Sequence, residues 1–147
     1  MLKTELRYSW VYNNFLNKGN FKIKELFKLK KDSRDFEILY KKNIKKIIKL
    51  IEKYAKNKKW QHKFIPIYII KNKFPMRSFS DPLTLKYRNS IGMLIVLIHE
   101  LIHNNFSFKK QIKRNYEKNE KLVNFITKKI CLDLKLDLKN SPIKGLH

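Results

Sequence analysis

The spacing of hydrophobic residues along the chain predicts three helices. Between residues 35 and 59, apolar side chains recur every three or four positions with lysines between them, which is typical of one long amphipathic helix. Residues 91–98 are almost continuously apolar and begin a second helix, for which Asn89 or Ser90 is the expected N-cap. Leucines and isoleucines four positions apart predict a last helix from about residue 116 to 138.

Two other segments carry the pattern of strands. Residues 64–71 are rich in β-branched and aromatic side chains, with Pro66 near their start. Residues 83–88 alternate large apolar and polar side chains, which predicts a half-exposed strand. Residues 7–12 indicate a short strand or an irregular aromatic segment, and residues 21–30 stay ambiguous between strand and helix.

These elements predict a single α+β domain. A chain of 147 residues supports one domain with a modest core. We divide it into an N-terminal segment (1–34), a core (35–138) and a tail (139–147). Cys131 is the only cysteine, so no internal disulfide forms, and its apolar helical neighbours favour a role in core packing. We expect a cytoplasmic protein, because no apolar stretch resembles a signal peptide or reaches the length of a membrane span.

The chain is strongly basic, with 35 Lys and Arg against 12 Asp and Glu and a formal charge of +23. Such a charge attracts polyanions over long distances. The lysines are spread along the whole chain, however, and this favours a solvated basic surface. Nucleic acid is therefore a less favoured partner, and an anionic membrane surface meeting the helix at 35–59 is a further alternative.

The second helix contains the motif His-Glu-x-x-His at residues 99–103. Side chains four apart lie on one helix face, so His99 and His103 can offer nitrogen atoms to one zinc ion. Glu100 lies one step around the helix and can act as general base towards a metal-bound water. The alternative is a buried helix whose histidines bond to backbone carbonyls. We favour zinc, because burying this polar trio among apolar neighbours is costly without a compensating partner.

A catalytic zinc ion usually has three protein ligands. Glu120, at the start of the predicted last helix, is the preferred third ligand, and Glu117 is its competitor on roughly the same face. Asn124 decides between them. It follows Glu120 by four residues, and its amide oxygen can accept a hydrogen bond from a ligand imidazole.

The sequence His99-Glu100-Leu101-Ile102-His103, followed by Asn119-Glu120 and Asn124, resembles the gluzincin metallopeptidases, and the short chain resembles their minimal soluble members, the minigluzincins. The resemblance implies a minimal zincin fold. In that fold a small antiparallel β-sheet packs against a long N-terminal helix, an active-site helix and a C-terminal glutamate helix. It also implies a Zn²⁺ cofactor held by two histidines and a glutamate, and hydrolysis of peptide bonds. Thermolysin-like enzymes have an aspartate where this chain has Asn124.

The predicted function is thus a zinc metalloendopeptidase, active or latent, that acts on a peptide or protein substrate. The strand at 83–88 is the expected rim of the cleft, where an extended substrate would pair with its edge. The tail at 141–147 is short enough to occupy the same cleft. Three residues are candidates for stabilising the oxyanion: Tyr87, Tyr116 and His147.

Other functions stay open on the sequence alone. The stretch from Glu120 to Phe125 also resembles the ImmA/IrrE-type proteases, which cleave DNA-bound repressors, and a basic chain would suit that role. A basic nucleic-acid-binding protein with a non-catalytic zinc is the alternative from another class. Assembly into a homo-oligomer is compatible with each of these functions.

Overall fold

The computed structural model describes residues 1–73, 78–106 and 116–146, with the side chain of Tyr116 left out. The fold is mixed α+β, as the pattern predicts. Its elements follow in chain order: β1 (Lys3–Arg7), α1 (Trp10–Leu16), α2 (Ile23–Asp32), α3 (Arg34–Tyr54), β2 (Phe64–Ile70), β3 (Phe79–Ser80), β4 (Leu83–Lys86), α4 (Ser90–Phe106), α5 (Tyr116–Asp133) and a 3-10 turn (Leu138–Asn140).

The strands form one sheet in the order β1-β2-β4-β3. β1 and β4 both run parallel to β2, and β3 runs antiparallel to β4. The predicted antiparallel sheet is therefore wrong, since the sheet is mixed. The reason lies in the connections: three helices separate β1 from β2 along the chain, and long crossovers of this kind join parallel strands.

β4 is an interior strand, which corrects the prediction of a half-exposed rim. Leu83, Thr84 and Leu85 are all buried, and β3 pairs along the edge where we expected a substrate. The hydroxyl of Thr84, on the face that alternation assigned to solvent, lies 2.8 Å from the hydroxyl of Tyr12 in α1. Alternation misled here because α1 covers that face of the sheet.

The first 34 residues belong to the same packed unit as the rest. β1 pairs with β2, and Leu2, Phe21 and Leu29 are buried in the one hydrophobic core of the described residues. On α1, the Asn13 amide donates to the carbonyl of Ile69 at 3.2 Å. The division between an N-terminal segment and a core starting at residue 35 therefore has no counterpart in the packing.

Helix α3 confirms the predicted amphipathic helix and ends at Tyr54 instead of residue 59. Helix α5 is shorter than predicted and ends at Asp133 instead of residue 138. Lys135 has φ 55°, and the Leu136 amide donates to the carbonyl of Cys131 at 2.9 Å. A left-handed residue with this hydrogen bond is a common helix stop, but it usually involves glycine, so the sequence pattern did not show it.

Helix α4 is the centre of the molecule and carries the motif. The side-chain oxygen of Asn89 accepts a hydrogen bond from the amide of Gly92 at 2.7 Å, which identifies Asn89 as the N-cap. Every residue from Gly92 to Phe106 except His103 is buried. The helix packs against α3, α5, β3 and β4. In the described part of the chain, no helix is long and apolar enough to cross a membrane.

Candidate metal centre and its cleft

The two histidines of α4 and one glutamate of α5 converge on one point. The Nε2 atom of His103 lies 2.9 Å from Oε1 of Glu120, and that of His99 lies 3.6 Å from Oε2. The two Nε2 atoms are 3.1 Å apart. The structure therefore brings together the three side chains that the sequence nominated as ligands, in a group that could hold a metal ion.

The spacing of these donor atoms fits a zinc ion. Ligand atoms about 2.0–2.1 Å from a tetrahedral zinc lie roughly 3.3 Å from one another. The two Nε2 atoms, and the Glu120 oxygen nearest to each of them, lie 2.9 to 3.6 Å apart, which scatters around that distance. Two imidazoles and one carboxylate are also a donor set that catalytic zinc takes in proteins, with one position left for water.

Both imidazoles are held in the neutral form that binds metals. Burial, the larger cause, and the neighbouring His103 together lower the pKa of His99 to about 4. Burial also lowers the pKa of His103, against an opposing effect of Glu120. Because metal ligands must be deprotonated, these shifts favour metal binding at neutral pH.

Glu100 is buried, with 9% of its surface exposed, and lines the same cleft as the three converging side chains. Burial raises the pKa of its carboxyl group to about 7, and the negative charge of Glu120 contributes. A carboxyl group with a pKa near neutrality can both accept and release a proton at physiological pH. Its placement agrees with the general base that the motif predicts.

Glu117, the competing ligand, lies away from the site. Its side chain is 87% exposed and its nearest ion-pair contact is Lys121 at 3.9 Å. The buried face of α5 passes through Val123, Ile126 and Ile130. At 3.6 residues per turn, Glu120 lies roughly 90° from the middle of that face and Glu117 roughly 150°. This apolar stripe is the sequence signal that separates the two glutamates.

The predicted contact between Asn124 and a ligand imidazole is not formed. The Asn124 amide instead donates to the carbonyl of Lys144 in the tail at 3.5 Å. Its Oδ1 atom is buried and, among the described residues, has no hydrogen-bond partner; the same holds for Nδ1 of His99. The hydrogen bond that distinguished Glu120 from Glu117 in the sequence is therefore absent from the described structure, where the tail orients the Asn124 amide.

The candidate metal centre opens into a cleft of about 540 Å³. Its walls come from residues 78–80 at β3, from α4 and α5, and from residues 142–144 of the tail. The tail thus borders the cleft that we expected it to occupy, and its Leu146 is buried. Tyr87 packs against the core instead of lining the cleft. The side chain of Tyr116 and all of His147 lie outside the described residues.

Arg88 is a cleft residue that the sequence analysis missed. Alternation placed it on the polar face of a strand, but β4 ends at Lys86, and Arg88 lies in the connection to α4. A lone arginine between a strand and a helix cap carries no pattern that identifies it in the sequence.

Comparisons with protein-family models, with curated proteins and with solved structures found no match to this chain. The resemblance to gluzincins therefore stays a prediction from the motif.

Proposed function

We propose that the protein is a zinc-dependent peptide hydrolase whose metal is held by His99, His103 and Glu120. The observation that carries this proposal is the convergence of the three donor atoms beside the buried Glu100 in an open cleft. Buried polar groups in this number are costly unless a partner compensates them, and a divalent cation does so.

Each group has a role in the hydrolysis. A bound zinc ion would supply a Lewis acid that polarises the peptide carbonyl and makes water acidic near neutral pH. Glu100 accepts a proton from the attacking water and delivers it to the leaving amine. Its pKa of about 7 makes both transfers feasible. Burial of His99 and His103 keeps their rings neutral and in place.

The short strand β3 is the expected docking edge for an extended substrate. Within the described sheet, β3 is the last strand and pairs with β4 on one side only. Its residues Phe79 and Ser80 line the cleft. The side chain of Asn104 in α4 donates to the carbonyl of Ser80, which connects this strand to the helix that carries the motif. Pairing with a strand edge gives main-chain hydrogen bonds to peptides of many sequences.

The decisive test is zinc content measured together with hydrolysis of a mixed peptide library. We expect about one zinc ion per wild-type chain and peptide cleavage that a chelator abolishes. His99→Ala and Glu120→Ala should lose both properties. Glu117→Ala, which removes a carboxylate from the same helix, is the matched control and should keep both. A wild-type protein that takes up no zinc, or a Glu120→Ala protein that keeps it fully, would contradict the proposal.

The net charge favours one second candidate, a nucleic-acid-binding protein with a non-catalytic metal. Six lysines of α3 are exposed: Lys41, Lys42, Lys45, Lys46, Lys49 and Lys53. Binding through such a surface weakens steeply as salt concentration rises. This function predicts salt-dependent binding of an oligonucleotide that Glu100→Gln leaves unchanged. An ImmA/IrrE-type protease would share the proposed chemistry and differ in its substrate.

A further inference from the structure

Arg88 lines the cleft, and its guanidinium group has no partner in the described part of the chain. Its Nε atom is buried and makes no hydrogen bond there. No salt bridge to Arg88 occurs within the described residues either. Burial is the one cause that lowers its pKa, so no nearby carboxylate offsets the loss of solvent.

The position of this side chain is built into the fold. Its stem passes over Gly92 in the first turn of α4, where a Cβ atom would lie 3.2 Å from Cδ of Arg88. The same Cβ atom at Gly92 would lie 2.8 Å from the carbonyl oxygen of Asn140. The absence of a side chain at Gly92 therefore makes room both for the arginine stem and for the start of the tail.

An unpaired guanidinium in a partly buried cleft is costly, because arginine stays charged at any pH the protein meets. The two carboxylates that share the cleft, Glu100 and Glu120, lie with the histidines at the metal centre. A second cation, Lys144, also lines the cleft. Among the residues that the structure describes, these cationic groups thus have no acidic counterpart of their own. Such groups suit a ligand that brings a carboxylate, which arginine binds through two parallel hydrogen bonds.

We infer that Arg88 forms a carboxylate-binding subsite of the cleft, and that the preferred substrates are peptides that present a carboxylate near the bond to be cleaved. The inference rests on the proposed function, because the peptide is the ligand it assigns. The carboxylate has two sources, the side chain of an acidic residue or the C-terminus of a short peptide. Both present the same chemistry to the guanidinium.

The test is a binding measurement on zinc-loaded Glu100→Gln protein, which should hold peptides without cleaving them. The probes are fluorescent alanine-based peptides in which one Glu, or one Gln, moves through each position, all with amidated C-termini. A second set without Glu compares free with amidated C-termini. We expect about tenfold tighter binding for one Glu register or for the free carboxylate, consistent with a charge-assisted hydrogen bond. Tighter binding of one Glu register identifies an acidic side chain as the source of the carboxylate, and tighter binding of the free C-terminus identifies the peptide end.

Substitutions then assign the effect to Arg88. Arg88→Met, in the same Glu100→Gln background, should remove the preference for the carboxylate, and Arg88→Lys should retain part of it. Arg34→Met removes an equal charge from an exposed position on α3 and is the matched control. Thermal unfolding of each variant checks that the fold is kept. If Arg88→Met does not fold, Arg88→Lys and the paired probes still test the subsite.

Equal binding of Glu and Gln probes, together with equal binding of free and amidated C-termini, would overturn the inference. So would a preference that survives in Arg88→Met or disappears equally in Arg34→Met. An oligonucleotide could also compete with the probes more strongly than a peptide with a free carboxylate does. If Arg88→Met abolishes that competition, the subsite would be assigned to phosphate instead. Cleavage by the wild type without any carboxylate preference would reject the subsite and keep the hydrolase. Arg88-dependent peptide binding without any cleavage by the wild type would keep the subsite and reject the hydrolase.

Discussion

The two helices that form the candidate metal centre differ in their packing. Helix α4 is buried on all sides from Gly92 to Phe106, apart from His103. Helix α5 is buried on one face and exposes apolar side chains such as Leu122 and Phe125 on the other. Glu120, the glutamate that α5 contributes, has a side chain 25% exposed, whereas the side chain of His99 on α4 is 9% exposed.

This difference separates two kinds of site residue. The positions of His99 and His103 relative to each other follow from one turn of a helix that the core holds on every side. The distance from either to Glu120 depends on how α5 packs on α4. One half of the centre is therefore local and rigidly placed, and the other half is a product of tertiary structure.

The largest effect should come from removing the proposed base on the buried helix. We expect Glu100→Gln to lower kcat by about 10²–10⁴-fold, because proton transfer by a positioned base contributes that much. Zinc content should stay unchanged, since Glu100 is not a ligand. Glu117→Gln on the exposed side of α5 should leave kcat at the wild-type level. Full activity in Glu100→Gln would remove Glu100 from the mechanism.

The packing difference itself can be measured with one substitution in each helix. Leu94 in α4 is fully buried, and Leu122 in α5 is 48% exposed. Leu94→Ala should lower the free energy of unfolding by about 2–5 kcal/mol, because it leaves a cavity in the core. Leu122→Ala should change it by about 0.5 kcal/mol. Equal losses in denaturant unfolding would show that the two helices are packed alike.

The substitution Gly92→Ala tests how closely the tail packs on the first turn of α4 beside the cleft. Gly92→Ala introduces a Cβ atom 2.8 Å from the carbonyl oxygen of Asn140, so the tail must shift. We expect a loss of about 1–3 kcal/mol in the free energy of unfolding, the range for overpacked sites. In a chain truncated after Lys139 the same substitution should cost less, because that carbonyl is gone. An equal cost in both chains would locate the strain elsewhere.

A further contrast between the two helices concerns the pH dependence of the metal-free protein. In Glu100→Gln, His99 keeps its pKa of about 4, because burial and His103 cause that shift. Between pH 6.5, the ordinary pKa of histidine, and pH 4, His99 binds a proton in the unfolded chain but not in the folded chain. The free energy of unfolding should therefore fall as pH drops from 6.5 to 4.

The complementary variant should show the opposite slope. In His99→Phe, Glu100 keeps its pKa of about 7, which burial and Glu120 cause. The folded chain then holds a proton between pH 4.5 and 7 that the unfolded chain releases. The free energy of unfolding should fall as pH rises through that window. Urea unfolding of each single variant is compared with that of the variant carrying both Glu100→Gln and His99→Phe, which isolates each dependence of the free energy of unfolding on pH. Two dependences of the same sign would contradict the shifted pKa values.

Several elements could be predicted because their patterns are long and regular. The spacing of α3, the apolar run of α4 and the β-branched residues of β2 each match what the structure shows. β1 and α1 were not resolved from the sequence. Helix α1 has seven residues, and its Trp, Val and Tyr side chains favour strands as much as helices. The exposure of β4 was mispredicted, since alternation cannot show that a helix from the start of the chain covers the polar face.

The sequence by itself determined the arrangement of His99, Glu100 and His103, because helical geometry places residues four apart on one face whatever surrounds them. It also nominated Glu120, although through a contact that is not formed. Only the tertiary structure decided that Glu120 meets the histidines, that β3 and the tail border the cleft, and that Arg88 lines it. These facts depend on the packing of segments distant in the chain, and such packing leaves no periodic mark in the residues themselves.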